Sequence, residues 1–138
     1  MIRGGAPGGF STGDYAVSTA IHVRYPWVGQ GEATSALLAT SIRRSPTAPL
    51  EWVRRGAEAL ECWQDGMGAT EGQEAIARAL EELMRVMGMP TRVSELQFPR
   101  EDIPVIADET VKNFNANPGA RSEDERIAAS VALMEAAW

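Results

Sequence analysis

The amino-acid sequence points to an all-α fold, a multi-helix bundle of about six helices. Apolar residues recur at helical spacing in several separate stretches, as in Ile76, Leu80, Leu83 and Met87. Glycine and proline clusters punctuate the chain at intervals that suit short helices. No stretch alternates apolar and polar residues with a period of two, so nothing reads as a half-buried strand. A chain of 138 residues with 44% hydrophobic and 23% charged content has the length and make-up of one globular domain.

Residues 1–13 carry Gly4, Gly5, Gly8, Gly9 and Gly13 with Pro7 and little to bury, which reads as a flexible leader before a single helical domain over 14–138. The leader has neither the Gly-Lys-Ser/Thr of a phosphate-binding loop nor a strand before it. Thr12 or Asp14 can cap a first helix that runs to about Tyr25, and Pro26–Gly31 is a tight connector. A second helix is expected from about Glu32 to Arg44. Its small face, Ala33, Ala36, Leu37 and Thr40, suits a buried central position where backbones approach closely. After Ser45–Pro49 comes a third helix, Glu51 to about Gln64, with Val53, Ala57, Leu60 and Trp63 on one stripe.

Thr70 and Gln73 have the spacing of a capping box for a long helix ending at Met87. Gly88 stands where a left-handed cap is wanted, Pro90 forbids continuation, and Ser94 can cap a short turn. Pro99 opens a helix continuing through Glu101–Phe114, with Pro104 in its first turns. Ser122 and Glu125 form a second capping box, after which Ile127, Val131, Met134 and Trp138 line the last helix.

The net charge of −6 gives no basic stripe to neutralise phosphates, so a nucleic-acid partner is not expected. No apolar run reaches the ~18 residues that cross a bilayer, and no signal-peptide core is visible at the N-terminus. The one cysteine, Cys62, permits no internal disulfide and fits a reducing, cytoplasmic setting. It has no histidine beside it in sequence to make it a nucleophile. Tyr25, Trp27 and Trp52 are candidates to line an apolar pocket, or simply core aromatics.

Several separated pieces carry a family resemblance: Gly88-Met-Pro-Thr-Arg-Val-Ser-Glu-Leu96, then Glu101-Asp-Ile-Pro104 with Ala107, then Asn117-Pro118 and Ser122-Glu-Asp124. In this order they resemble the C-terminal helical domain of iron-containing alcohol dehydrogenases, clearly over Glu82 to Glu125 and more weakly over Gly13 to Arg44. The resemblance implies an NAD(P)-dependent alcohol–aldehyde oxidoreductase by descent. In such enzymes a His-x-x-x-His pair on a helix and a following His-Gly surround an iron or zinc ion, the first and last of these histidines being ligands.

The matching positions here are Ser18, His22 and Gln30 before Gly31, so both ligand imidazoles are replaced by weak neutral donors. Ser18 and Gln30 then hold vestigial metal positions. His22 corresponds to the histidine beside the substrate carbonyl. Glu32, near the start of the next helix, is a weak candidate metal ligand that could meet His22 across the connector as a residual two-ligand site. The dinucleotide-binding half of the family fold is not in these residues, so no cofactor is expected on this chain alone.

Three readings stay open on this basis. The chain is part of an oxidoreductase completed by a nucleotide-binding half or partner subunit. It is a metal-free, non-catalytic domain that binds a partner protein or small apolar ligand. Or it is a helical domain that simply forms a homo-oligomer.

Overall fold

Helix α2, Gln30–Arg44, runs through the middle of the molecule because its sequence lets neighbours come close. Ala33, Ser35, Ala36, Leu37, Ala39, Thr40, Ser41 and Ile42 are all buried, and α2 packs on elements from both halves of the chain. The computed structural model describes residues 13–112 and 121–138. Within them the helices are α1 (Gly13–Arg24), α2, α3 (Leu50–Ala59), α4 (Ala69–Val86), α5 (Ile103–Thr110) and α6 (Glu123–Ala136), with 3₁₀ turns at Val93–Leu96 and Arg100–Asp102. The described residues contain no strand, as expected for an all-α bundle. The leader assigned to residues 1–13 lies outside the described residues except for Gly13, which begins α1.

Two cores flank α2. The larger joins α1, α2, the first 3₁₀ turn, α5 and α6 through Val17, Ile21, Leu37, Val93, Ile103, Ile106 and Met134, each at most 1% exposed. Three links at the chain's end close it. Val93 N–H donates to Ala137 O at 2.9 Å, Ser94 Oγ donates to Trp138 O at 3.1 Å, and Phe98 meets Trp138 edge-on at 5.7 Å. The smaller core lies between α2, α3 and α4 around Ile42, Val53, Ala57, Ile76 and Ala77. Gly72 makes this packing possible: a Cβ there would stand 2.5 Å from Val53 Cγ1.

Several boundaries differ from those the sequence suggests. Helix α2 begins two residues earlier, with Gly29 as its N-cap, so Gln30 is helical. Helix α3 stops at Ala59, five residues before Gln64. Glu61 takes a left-handed φ of 57°, Glu61 N–H reaches Glu58 O at 3.0 Å and Cys62 N–H reaches Ala57 O at 2.8 Å. That bonding closes a helix end with a Schellman turn. Trp63 still packs on the smaller core although it is outside the helix.

At α4 the cap is Gly68, whose N–H is accepted by Glu71 Oε2 at 3.2 Å, so Thr70 and Gln73 form no capping box. Gln73 is buried instead. Its amide donates to Ile42 O (2.9 Å) and Ser45 O (3.2 Å), and its Oε1 accepts from Ala48 N–H (3.0 Å). One side chain thereby satisfies three backbone groups in the last turn of α2 and the loop that follows it.

Ser94 likewise caps nothing. The 3₁₀ turn is capped by Glu95, which accepts from Arg92 N–H at 2.9 Å. The expected box of Ser122 and Glu125 is present, with N–H···O distances of 2.8 and 3.2 Å. The apolar stripe of α4 leaves the core partway: Ile76 is buried, but Leu83 and Met87 are 44% and 55% exposed.

Candidate functional site

The α1–α2 junction gathers the residues that the sequence singles out. Positions 18 and 22 are four apart on α1 and therefore lie one turn apart on one face. Tyr25 to Gly29 then turns the chain, with Val28 N–H donating to Tyr25 O at 2.9 Å, and α2 starts at Gln30. The turn brings Gln30 back over α1, where its Nε2 donates to Ser18 Oγ at 2.8 Å. Ser18 is wholly buried, and its own hydroxyl donates to Tyr15 O at 3.1 Å.

The chain of bonds has one direction. The single Ser18 proton goes to Tyr15, so Ser18 must accept from the Gln30 amide.

His22 is exposed and does not take part in that chain. Its Nδ1 lies 2.7 Å from Val28 O, and a carbonyl only accepts, so Nδ1 carries the proton. The neutral imidazole then keeps its lone pair on Nε2. Glu32 is exposed in the first turn of α2, where its charge suits the helix N-terminus. No hydrogen bond or ion pair joins it to His22; the partner of His22 is the Val28 carbonyl. Ser18 and Gln30 are thus brought together, while His22 and Glu32 stand apart from them.

Beyond this junction, Tyr25 is a core residue. Its ring stacks on Phe98 at 4.8 Å and its hydroxyl donates to Asp102 at 2.5 Å. Burial, and then the bond to Asp102, hold the phenol above its ordinary pKa. Arg24 pairs with Glu109 at 2.8 Å and ties α1 to α5. Trp27 and Trp52 are 61% and 45% exposed, so the three aromatics do not enclose one pocket. A surface depression of about 600 Å³ opens at the N-terminal turns of α4, lined by Asp65, Thr70, Glu71, Glu74 and Arg78, and includes none of the junction residues.

Sequence reasoning missed the Ser18–Gln30 bond and the Val28 carbonyl. Neither has a sequence signal, because both depend on how the Tyr25–Gly29 turn folds back.

The profile of the Fe-containing alcohol dehydrogenase family, C-terminal, matches residues 10–137. The chain belongs to that family. Among solved structures it is similar to "1,3-propanediol oxidoreductase", with 21% identity and a TM-score of 0.66 over 91% of this chain. That similarity shows a shared fold, and the chain spans about a third (32%) of the length of that protein's chain. No curated protein matches the chain.

The family name implies iron, and the junction residues can be tested against it. Among the described residues no three His, Cys, Asp or Glu side chains come together as a metal site requires. The pair that does converge is a hydroxyl and an amide, both neutral, and the group aimed from Gln30 is an N–H rather than a lone pair. Neither is the imidazole, thiolate or carboxylate donor that such a metal ordinarily takes. Among the described residues, no helix is long and apolar enough to cross a membrane.

Proposed function

We propose that this chain is the helical half of an NAD(P)-linked alcohol–aldehyde oxidoreductase lineage and is inactive by itself. One observation carries the reading. The family match covers residues 10–137, yet the chain corresponds to only 32% of the propanediol oxidoreductase chain, and its described residues hold no strand. Hydride transfer needs a nicotinamide held in register with the carbonyl, and a dinucleotide is ordinarily held at a parallel sheet. Any turnover therefore depends on a nucleotide-binding half, on the same polypeptide or on a partner subunit. In such a complex His22, with its Nε2 lone pair, is the residue of the junction suited to orient a carbonyl or relay a proton.

A second reading has its own support. The Ser18–Gln30 bond completes the junction without a metal, which favours a non-catalytic domain that binds a partner or forms a homo-oligomer. Either reading suits a cytoplasmic protein with the free thiol of Cys62.

Native mass spectrometry of the protein from its own cells, with an assay of aldehyde reduction by NADH and NADPH, tests the proposal. Association with a larger nucleotide-binding chain and no turnover by the isolated chain support the first reading. A homo-oligomer without turnover supports the second, and turnover by the isolated chain overturns the claim of inactivity.

A further inference from the structure

We infer that the Ser18–Gln30 hydrogen bond takes the place of a metal ion at the α1–α2 junction, so that this member of an iron-named family closes the junction without iron. The distance supports this. Two imidazole nitrogens bound to one zinc at about 2.0–2.1 Å in tetrahedral geometry stand roughly 3.3 Å apart. Ser18 Oγ and Gln30 Nε2 are 2.8 Å apart, so the two positions converge closely enough for side chains placed there to share an ion.

The present groups satisfy each other instead. Gln30 gives its N–H, Ser18 passes its own proton to Tyr15 O, and Ser18 is shut from solvent at 0% exposure. A cation entering between them would meet the Gln30 N–H and would need both bonds broken.

His22 stands apart from this pair. It lies one turn from Ser18 and donates through Nδ1 to a backbone carbonyl. That keeps its Nε2 lone pair free, but no bond joins it to Ser18 or Gln30. The two ligand positions lack both imidazoles. Histidines at 18 and 30 should therefore rebuild a two-imidazole zinc site at the junction.

The inference goes beyond the proposed oxidoreductase descent. Its test uses no nicotinamide, so its failure and the failure of that reading are distinguishable. The full chain is dialysed against EDTA and titrated with zinc, with affinity read by calorimetry and stability by thermal unfolding.

For the natural sequence we expect no stoichiometric zinc, no effect of EDTA on Tm, and a lower Tm in Ser18→Ala. For the double variant Ser18→His/Gln30→His we expect zinc affinity higher by on the order of 100-fold and a Tm that rises with zinc. One equivalent of iron or zinc held by the natural protein and lost in Gln30→Ala would overturn the inference. So would a folded double variant that binds zinc no better than the natural protein. If the double variant does not fold, Gln30→His alone, at a half-buried position, replaces it: zinc affinity must rise, and no rise overturns the inference.

Discussion

Around α1, α5 and α6 the core is filled by large side chains, with Ile21, Ile103, Ile106 and Met134 almost wholly buried. Between α3 and α4 it closes instead on Ala57, Ala77 and Gly72, with a buried amide, Gln73, at its edge. The first region is held by buried apolar area, which tolerates small shifts in geometry. The second depends on close backbone approach and on one side chain that satisfies three backbone groups, so it depends on individual atoms. The same contrast decides what changes each region can absorb. The junction with Ser18 and Gln30 belongs to the first region and is buttressed by its apolar packing.

The contrast can be broken most severely in the larger core. Ile106→Ala removes three carbons from a site with no exposure, and urea unfolding should show a loss of about 3–4 kcal/mol. In the smaller core the heaviest loss should come from a polar residue. Gln73→Leu strips the acceptor from Ala48 N–H and the donor from Ile42 O and Ser45 O. A loss of about 2–3 kcal/mol is expected by urea unfolding, although the substitution adds apolar volume. A loss below that of an ordinary surface substitution would show that the loop does not need the amide.

Gly72→Ala sharpens the same point. In an open helix the change would stabilise by about 1 kcal/mol. Here the new methyl meets stiff, β-branched Val53 at 2.5 Å, so a net loss of about 1–2 kcal/mol is expected in thermal unfolding. Neutral or improved stability would mean that α3 and α4 can separate freely.

Helix α2 is joined to α4 by charge as well. Arg43 bonds Glu81 at 3.0 Å, and this hydrogen bond holds the Glu81 carboxyl below its ordinary pKa. A depressed carboxylate contributes stability that is present above its unfolded value of about 4.3 and is lost as the pH falls through the lower folded value. Stability measured between pH 6 and pH 3 should therefore fall less steeply in Glu81→Gln than in the natural protein. For one partly exposed pair the difference should stay within about 1 kcal/mol.

Much of the fold was legible because it rests on local rules. Ser122 and Glu125 announce their helix by spacing, and the small face of α2 announces its central place. The functions of Gln73, Ser94 and the Ser18–Gln30 pair were not legible. Each is fixed by a partner between 12 and 44 residues away, which no window of sequence reports. Family resemblance singled out Ser18 and Gln30, but the bond between them was not legible, and His22 and Glu32 stand apart from it.

The ends of α3 and α4 isolate the same limit in one motif. Both close with a Schellman turn: Met89 N–H reaches Met84 O at 2.9 Å in α4, as Cys62 N–H reaches Ala57 O at 2.8 Å in α3. The left-handed residue is Gly88 at φ 73° in one and Glu61 at φ 57° in the other. Gly88 signals its helix end in the sequence, whereas Glu61 reads as helix, which is why α3 was expected to run on to Gln64. A side chain in the left-handed region costs roughly 1–2 kcal/mol, and glycine gives back part of that advantage through the greater freedom of the unfolded chain. Glu61→Gly should therefore stabilise by only about 0.5 kcal/mol, while Gly88→Ala should destabilise by about 1 kcal/mol. Thermal unfolding of the two variants side by side reads both signs. If Glu61→Gly instead destabilises, the Glu61 side chain supports the α3 end through interactions that outweigh its backbone strain.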